Sequence, residues 1–168
     1  MSSSVTVTTP LGDIILVASP AGLQRAYLPG LAHKRVITEA RTGGAAILNV
    51  AATQLREYFR GERWEFTVPL DLQPRGFQAK VQLALPTVAA GHTYTYGRLA
   101  QQLGYPGAAR AVGTACATNP LPLFLPCHRV VKAGGTIGQY AGGVAMKRWL
   151  LEHEKAALVV GSYKLNQR

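Results

Sequence analysis

Cys127 and His128 are adjacent, and the only two carboxylates in the second half of the chain are Glu152 and Glu154. A cysteine attacks electrophiles as the thiolate, so a reactive cysteine needs a nearby base or positive charge. His128 can be that base, and a carboxylate can hold its ring in the required tautomer. The spacing does not choose between Glu152 and Glu154. These residue types predict a nucleophilic thiol supported by a histidine and a carboxylate.

The proton path from Cys127 depends on the backbone around it. Residues 119–126 contain three prolines and cannot be helical, because proline biases the preceding residue toward extended conformations. Residues 127–131 are predicted to form a short strand, in which neighbouring side chains point to opposite faces. His128 is therefore expected to take the Cys127 proton through a bridging water.

Two other interpretations of Cys127 compete with the nucleophile. A cysteine in an apolar segment is often only a small buried hydrophobic residue. A zinc site could also be assembled from the thiols and imidazoles Cys116, Cys127, His128 and His153. Their spacing matches no paired-ligand pattern, so we expect no bound metal. With two cysteines in all, a disulfide framework is not expected and a reducing cytoplasm is.

The positive charge of the chain lies almost entirely in its second half. Residues 1–76 carry eight basic and six acidic side chains, whereas residues 77–168 carry ten basic and two acidic ones. A basic surplus confined to one half predicts a face that meets a polyanion such as nucleic acid, although a merely basic surface remains the alternative. No apolar run reaches the roughly 20 residues of a membrane span, and no secretion signal begins the chain. We expect a cytoplasmic location, with the nucleoid in a prokaryote.

The first half is predicted to be a small sheet followed by a helix. Strands are expected at residues 5–9, 14–18 and 23–28, separated by turns that contain proline and glycine. Apolar residues from Ile47 to Phe59 recur at helical spacing, and Gly61 is a suitable stop. Residues 64–68 suggest one more strand. Residues 71–76 then suggest a linker, which places a domain boundary at residue 76.

The second half is predicted to be mostly helical. A helix from Phe77 is shortened or kinked by Pro86. Thr95 is a good N-cap for a helix over residues 96–103, and a second helix over 108–117 follows a glycine-containing turn. This pattern fits a helix-turn-helix or an ordinary helical hairpin, and the charge surplus brings the two interpretations near parity.

The end of the chain adds a turn and a last helix. Residues 133–136 suggest a hairpin-like turn, as the wing beside a helix-turn-helix would have. An amphipathic helix is expected over residues 144–154, burying Trp149 and Leu150. Residues 157–168 are expected to be a tail.

Several ordered motifs of the second half resemble one known family. The run PCHRVV at residues 126–131 resembles the active-site signature of the O6-alkylguanine-DNA alkyltransferases, also called methylated-DNA–protein-cysteine methyltransferases. Further resemblances lie at residues 95–100, 109–113, 119–122, 138–143 and 147–154. The strong resemblance covers residues 77–156, and before it only the run TPLG at residues 9–12 and the strand order are similar.

The resemblance implies an α+β fold and a DNA-repair function. It implies a ribonuclease-H-like domain at residues 1–76, with a small antiparallel sheet and a helix, and a winged helix-turn-helix domain at 77–156. It also implies single-turnover transfer of the alkyl group of O6-alkylguanine from a base flipped out of double-stranded DNA, and it leaves transfer from O4-alkylthymine open. The acceptor cysteine is consumed, no cofactor is needed, and a monomer is expected.

The resemblance also assigns chemical roles to residues. Cys127 would be the alkyl acceptor, His128 the water-mediated base, and Glu154 the carboxylate that orients His128. Asn119 would fix the turn that carries the active-site segment. Tyr96 would crowd the target phosphate and help to protonate the departing guanine.

Other residues would bind DNA and the flipped base. Arg110 would enter the duplex in place of that base. The rest of the DNA-binding set shares small side chains that suit a close approach to the minor groove: Thr95, Ala109, Ala111 and Gly113. The substrate pocket is expected to be formed by Cys116, Val130, Tyr140 and Ala141.

The chain departs from the family pattern at a few positions. Gln82 and Ala89 stand where relatives usually have tryptophan and proline, and the proline is found at Pro86 instead. This puts the packing of that helix in doubt. Ala141 stands where many relatives carry a serine that helps to hold the guanine, which puts the substrate range in doubt.

Three alternative functions compete with alkyl transfer. A non-catalytic lesion sensor would lack the acceptor cysteine, which this chain keeps. A winged-helix regulator of one operator should carry several long polar side chains on its recognition helix, where only Arg110 is present. A cysteine hydrolase would turn over more than one equivalent of an ester substrate.

Overall fold

The structure, a computed structural model, describes residues 2–31, 43–73 and 75–159. It divides into two compact units, Met1–Gln73 with Pro120–Pro122 and Pro74–Asn119 with Leu123–Arg168. In the tail predicted at residues 157–168, residues 157–159 are helical, and residues 160–168 lie outside the described residues. No helix in the described ranges is long and apolar enough to cross a membrane.

The first unit is built on a three-stranded antiparallel sheet. Its strands are β1 (Ser3–Thr9), β2 (Gly12–Ser19) and β3 (Gly22–Tyr27), in the order β1-β2-β3. The alternation of polar and apolar residues and the turns between the runs predicted this sheet, which is confirmed. Inward-facing side chains of β2, such as Ile14 and Leu16, are fully buried.

Helix α1 (Ala45–Phe59) packs on this sheet through its apolar face. Leu55 and Tyr58 are fully buried, and the chain turns away at Gly61, where the backbone φ is 75°. A positive φ costs glycine little, so this residue ends the helix as expected from the sequence. The predicted helix is confirmed.

The strand predicted at residues 64–68 is wrong. Within the described ranges, this region pairs with the sheet only through an isolated bridge between Leu70 and Leu23. The backbone N–H groups of Thr67 and Val68 instead donate to Oε1 of Gln54, at 3.0 and 3.3 Å. The side-chain oxygen of the buried Gln54 thus accepts the hydrogen bonds that a neighbouring strand would otherwise accept. The periodicity of the sequence cannot indicate such a side-chain partner.

The second unit begins with a shortened helix, as Pro86 predicted. Helix α2 (Gly76–Ala84) gives way to a 3-10 turn over Leu85–Thr87 that has proline in its first turn. Gln82 is buried and donates from Nε2 to the carbonyl of Ala115 at 3.1 Å. A hydrogen bond therefore links α2 to the helix that contains Ala115.

The two helices predicted next are also confirmed. Thr95 caps α3 (Tyr96–Gln102), its Oγ1 accepting the N–H of Arg98 at 3.0 Å, and α3 packs against α4 (Ala109–Ala117). Together with the small sheet of the first unit, these helices give the α+β fold that was expected.

The strand predicted at residues 127–131 is mostly wrong. Cys127–Arg129 form a 3-10 turn, and only β5 (Val130–Val131) is extended, pairing in parallel with β4 (Tyr94–Thr95). The turn forms because the Cys127 N–H donates to Leu125 O at 2.8 Å and the Arg129 N–H to Pro126 O at 3.1 Å. The argument that Cys127 and His128 point to opposite faces of a strand therefore loses its basis.

A turn is present at residues 133–136, where a hairpin-like turn was predicted. The Lys132 N–H donates to Thr136 O at 2.8 Å, but no second strand follows among the residues that the structure describes up to α5. Helix α5 (Val144–Glu154) is confirmed, although Trp149 is only half-buried and stacks on His153. The inward face of α5 instead consists of Lys147, Leu150 and Glu154.

Candidate active site

A short turn fixes the position of Cys127. The side-chain amide of Asn119 donates from Nδ2 to Leu125 O at 2.7 Å, and it also forms a hydrogen bond with the Cys127 sulfur. Leu123 lies between Asn119 and Leu125 in the chain and has a φ of 77°, the only positive value at a non-glycine residue in the described ranges. Such a backbone is strained for a branched side chain, so the surrounding bonds must hold it. Asn119 thus lies where it was expected to fix this segment.

A buried network of charged and polar side chains begins at the residue that follows Cys127. His128 and Glu154 are fully buried, and Nε2 of His128 is 2.8 Å from Oε2 of Glu154. Arg129 donates two hydrogen bonds to the same carboxylate, from Nε to Oε1 at 2.8 Å and from a terminal nitrogen to Oε2 at 3.0 Å. Its other terminal nitrogen donates to Val88 O at 2.8 Å. Glu154 is therefore the buried partner of His128, whereas Glu152 is an exposed surface residue paired with Lys155.

The environment sets the protonation of this network. Burial lowers the pKa of His128, and the hydrogen bond and charge of Glu154 only partly oppose this. Burial alone would raise the pKa of Glu154, but hydrogen bonds and charges from His128 and Arg129 outweigh it and lower the pKa to about 2. The stable arrangement is a neutral His128 that donates from Nε2 to an ionised Glu154.

That tautomer leaves Nδ1 of His128 with a free lone pair. Nδ1 is buried and has no hydrogen-bond partner among the described residues. A buried unsatisfied acceptor is costly and calls for a functional or solvent explanation. It gives His128 the capacity to accept a proton while Glu154 and Arg129 hold the ring in place.

The Cys127 thiol is only 6% exposed and is protonated at rest. Burial raises its pKa, and the hydrogen bond from Asn119 and the positive charge of Lys147 lower it only in part. Lys147 is itself buried, with Nζ 2.7 Å from Val130 O and 3.3 Å from Gln139 O. The thiol therefore needs a base, and its thiolate would form beside a fixed cation.

A cavity of about 610 Å³ opens onto Cys127. Its lining combines aromatic, small and basic side chains: Tyr96, Arg110, Gly113, Thr114, Cys116, Ala117, Cys127, Lys132, Gln139, Tyr140 and Ala141. The cavity thus contains much of the predicted site. Val130 does not line it, being buried in β5, and Thr95, Ala109 and Ala111 also lie outside its lining.

Several residues of this site were not foreseen from the sequence. Arg129 and Lys147 lie within the motifs but received no role, and Lys132 and Gln139 were not singled out. The spacing of Lys147, Leu150 and Glu154 by three and four residues could have indicated charges on the inward face of a helix. In the described part of the chain, no group of three or more His, Cys, Asp or Glu residues could hold a metal.

Comparisons with known proteins agree with this arrangement. Residues 5–72 match the model of the ribonuclease-like domain of 6-O-methylguanine DNA methyltransferase, and residues 76–156 match the model of its DNA-binding domain. A methylated-DNA–protein-cysteine methyltransferase of Mycobacterium tuberculosis is 41% identical over 157 residues, which cover 90% of this chain and 91% of the relative. The constitutive enzyme of that name from Bacillus subtilis is 35% identical, covering 92% and 96%.

Solved structures show the same similarity. The crystal structure of M. tuberculosis O6-methylguanine methyltransferase is 39% identical and covers 93% of this chain and 94% of its own, with a TM-score of 0.82. A structure of the M. tuberculosis protein OGT in complex with DNA is 40% identical and covers 90% and 91%, with a TM-score of 0.80. The chain belongs to the 6-O-methylguanine DNA methyltransferase family.

Proposed function

We propose that this protein repairs DNA by moving the alkyl group of O6-alkylguanine onto Cys127, once per molecule. The observation that carries this proposal is the Cys127 thiol at the cavity, with His128 and Glu154 buried behind it. The names of its relatives, and the DNA bound by one of them, support the same reaction.

The site geometry suggests how the reaction proceeds. Nδ1 of His128 accepts the Cys127 proton through a water molecule, and Lys147 stabilises the resulting thiolate. The sulfur attacks the alkyl carbon, the bond from carbon to O6 breaks, and its electron pair passes to the guanine. Burial raises the pKa of Tyr96, so its phenol stays protonated and can donate the proton that the leaving guanine needs.

The product explains why one molecule would act only once. The C–S bond of a thioether is not cleaved by water under mild conditions, so Cys127 would not be regenerated. Asn119 would keep Cys127 in place during the transfer, through its bonds to Leu125 and to the sulfur.

DNA would approach through α4 and the residues around it. Arg110 is exposed at the cavity, where it could replace a base that has left the duplex. Gly113 has open space around it, as a close approach to a minor groove requires, and Thr95, Ala109 and Ala111 would complete this small-residue surface. We assign the chemistry to residues 77–156 and an accessory role to residues 1–76, in a cytoplasmic protein whose two cysteines are free.

Mass spectrometry tests the proposal. After incubation with duplex DNA containing O6-methylguanine, the peptide with Cys127 should gain the mass of one methylene, while the peptide with Cys116 should not. Cys127→Ala should bind the duplex and take up no methyl group. Binding without any mass increment in the native protein would contradict alkyl transfer and indicate a lesion sensor.

A further inference from the structure

The cavity beside Cys127 carries positive charge that methyl transfer does not require. Its lining contains two permanently or normally cationic side chains, Arg110 and Lys132, and no carboxylate. A third cation, Lys147, lies buried near the Cys127 sulfur and interacts with its charge. Arg110 has the proposed task of entering the duplex and Lys147 that of stabilising the thiolate. Lys132 has no such task.

The backbone of Lys132 is held firmly at the edge of the cavity. Its N–H donates to Thr136 O at 2.8 Å, and its carbonyl accepts the Gly135 N–H at 3.0 Å. The side chain is exposed and forms no ion pair within the described ranges. Lys132 is therefore a cation without a carboxylate partner in the described ranges, and it extends from a firmly held backbone at the cavity.

Lys132 and Tyr96 both line the cavity, and both lie close to Gly138. A Cβ atom built on Gly138 would be 3.3 Å from Cγ of Lys132 and 3.3 Å from the Tyr96 oxygen. Gly138 has a φ of +77° and no side chain, so both groups can approach its backbone. The flexible end of the lysine can thus move within the cavity that Tyr96 and Cys127 also line.

An anionic substituent meets a specific obstacle in this reaction. A carboxylate on the transferred carbon would repel the approaching thiolate, because two like charges would come within a few ångströms. A cation on each side offsets that repulsion, and Lys147 already occupies the side of the sulfur. Lys132 lines the same cavity as Cys127, where its ammonium group can pair with such a carboxylate.

We propose that Lys132 gives the cavity a preference for O6 substituents that carry a negative charge, with carboxymethyl as the test case. This inference rests on the proposed function. The Cys127 sulfur would form a bond to the methylene carbon and the bond from that carbon to O6 would break. Guanine would leave with its proton restored, and Cys127 would retain an S-carboxymethyl group.

The experiment compares two substituents of nearly equal size. Single-turnover rates would be measured with duplexes containing O6-carboxymethylguanine or its neutral amide, O6-carbamoylmethylguanine, with O6-methylguanine as reference. The proteins would be the native chain, Lys132→Met, Lys132→Arg and the control Lys155→Met, which removes an exposed lysine outside the cavity. Lys132→Met keeps most of the stem and removes only the charge.

The readout is the rate for carboxymethyl divided by the rate for carbamoylmethyl. Lys132→Met should lower this ratio by about five-fold, the size of a partly exposed charge pair, while Lys132→Arg and Lys155→Met should keep it. High salt should shrink the difference. An unchanged ratio in Lys132→Met, with all three rates reduced equally, would overturn the inference and make Lys132 a phosphate contact.

Binding separates this inference from the proposed reaction. The Cys127→Ala protein cannot accept an alkyl group, yet its affinity for the carboxymethyl duplex relative to the carbamoylmethyl duplex should still fall when Lys132→Met is added. Absence of methyl transfer in the native protein would refute the proposed function, and a charge-dependent affinity ratio would still support Lys132 as the selector. An affinity ratio that is insensitive to Lys132 would refute the selector alone.

Discussion

The two units bury polar groups of different kinds. In the described ranges, the polar residues buried in the first unit are neutral, namely Ser3, Ser19 and Gln54. The second unit also buries one neutral residue, Gln82, but in addition it buries His128, Arg129, Lys147 and Glu154, all of which can carry charge. Removing a charge from water costs several kcal/mol, and a buried ion pair often contributes no more than well-packed apolar residues would.

The difference in buried charge indicates that the two interiors have different roles. In the first unit the buried amide of Gln54 satisfies two backbone N–H groups and the hydroxyl of Thr67. The charges of the second unit set the tautomer of one histidine and the field around one thiol, at a cost in stability that apolar residues would avoid. Substitutions should therefore affect stability alone in the first unit, and stability together with chemistry in the second.

The strongest way to test this contrast is Glu154→Gln. The substitution leaves the Arg129 guanidinium buried without a counter-charge, so unfolding free energy should fall by about 3–5 kcal/mol. Methyl transfer by the protein that remains folded should also slow by about 100-fold, because His128 loses its anchor. Urea unfolding and single-turnover assays measure the two effects.

Glu152→Gln is the matched control, since it changes an exposed glutamate on the same helix. It should alter stability by less than about 0.5 kcal/mol and leave transfer unchanged. Equal effects of the two substitutions would contradict the assignment of Glu154 as the buried partner of His128.

A substitution of His128 should affect the chemistry more than the fold. His128→Asn removes the proposed base, and we expect single-turnover transfer to slow by about 100-fold. His92→Asn, at an exposed position of the same unit, should leave the rate unchanged. A rate for His128→Asn within about two-fold of the native rate would rule out His128 as the base.

Acid should destabilise the second unit through the same charges. The pKa of Glu154 is lowered to about 2 from its usual 4.5, so its stabilising effect is present above pH 4.5 and is lost as the pH falls toward 2. Burial lowers the pKa of His128, so below pH 6.5 the unfolded chain takes up a proton that the folded state resists. Both groups lower stability as the pH falls.

Unfolding measured between pH 7 and pH 3 checks this prediction. The loss attributable to Glu154 should reach about 2 kcal/mol at pH 3, and Glu154→Gln should remove that part. Hydrogen exchange should show the amides of α5 losing protection before those of β1 to β3. Stability independent of pH over this range would contradict a charged interior in the second unit.

The smallest expected effect belongs to the neutral interior of the first unit. Gln54→Ala leaves the N–H groups of Thr67 and Val68 without their acceptor, so unfolding free energy should fall by about 1–3 kcal/mol. Transfer per folded molecule should not change, and the exposed Thr53→Ala on the same helix should change neither quantity. A transfer defect in Gln54→Ala would break the contrast between the two units.

Local signals in the sequence predicted most of the helices and strands. The first three strands, α1 with its stop at Gly61, the Thr95 cap and the shortening at Pro86 all depend on residues close together in the chain. The wrong predictions share one cause. At residues 64–68 and 127–129 the backbone takes its partners from a buried side chain or a tight turn, and strand-like composition gives no sign of either.

The site could be predicted only in part for a related reason. Cys127 and His128 are neighbours in sequence, and the motifs around them indicated the chemistry and the DNA substrate. Physics alone could not choose Glu154 over Glu152; the family resemblance did so, and the structure shows the former buried against His128 and the latter exposed.

The sequence by itself thus determined the order of most elements, the basic second half, and the thiol with its adjacent imidazole. Only the tertiary structure decided where the charged side chains near that thiol lie. Arg129 binds Glu154, Lys147 binds the carbonyl of Val130, and Lys132 lines the cavity. Local patterns record the conformation of a few neighbouring residues. The energy of a buried charge depends on groups that folding brings together from far apart in the chain.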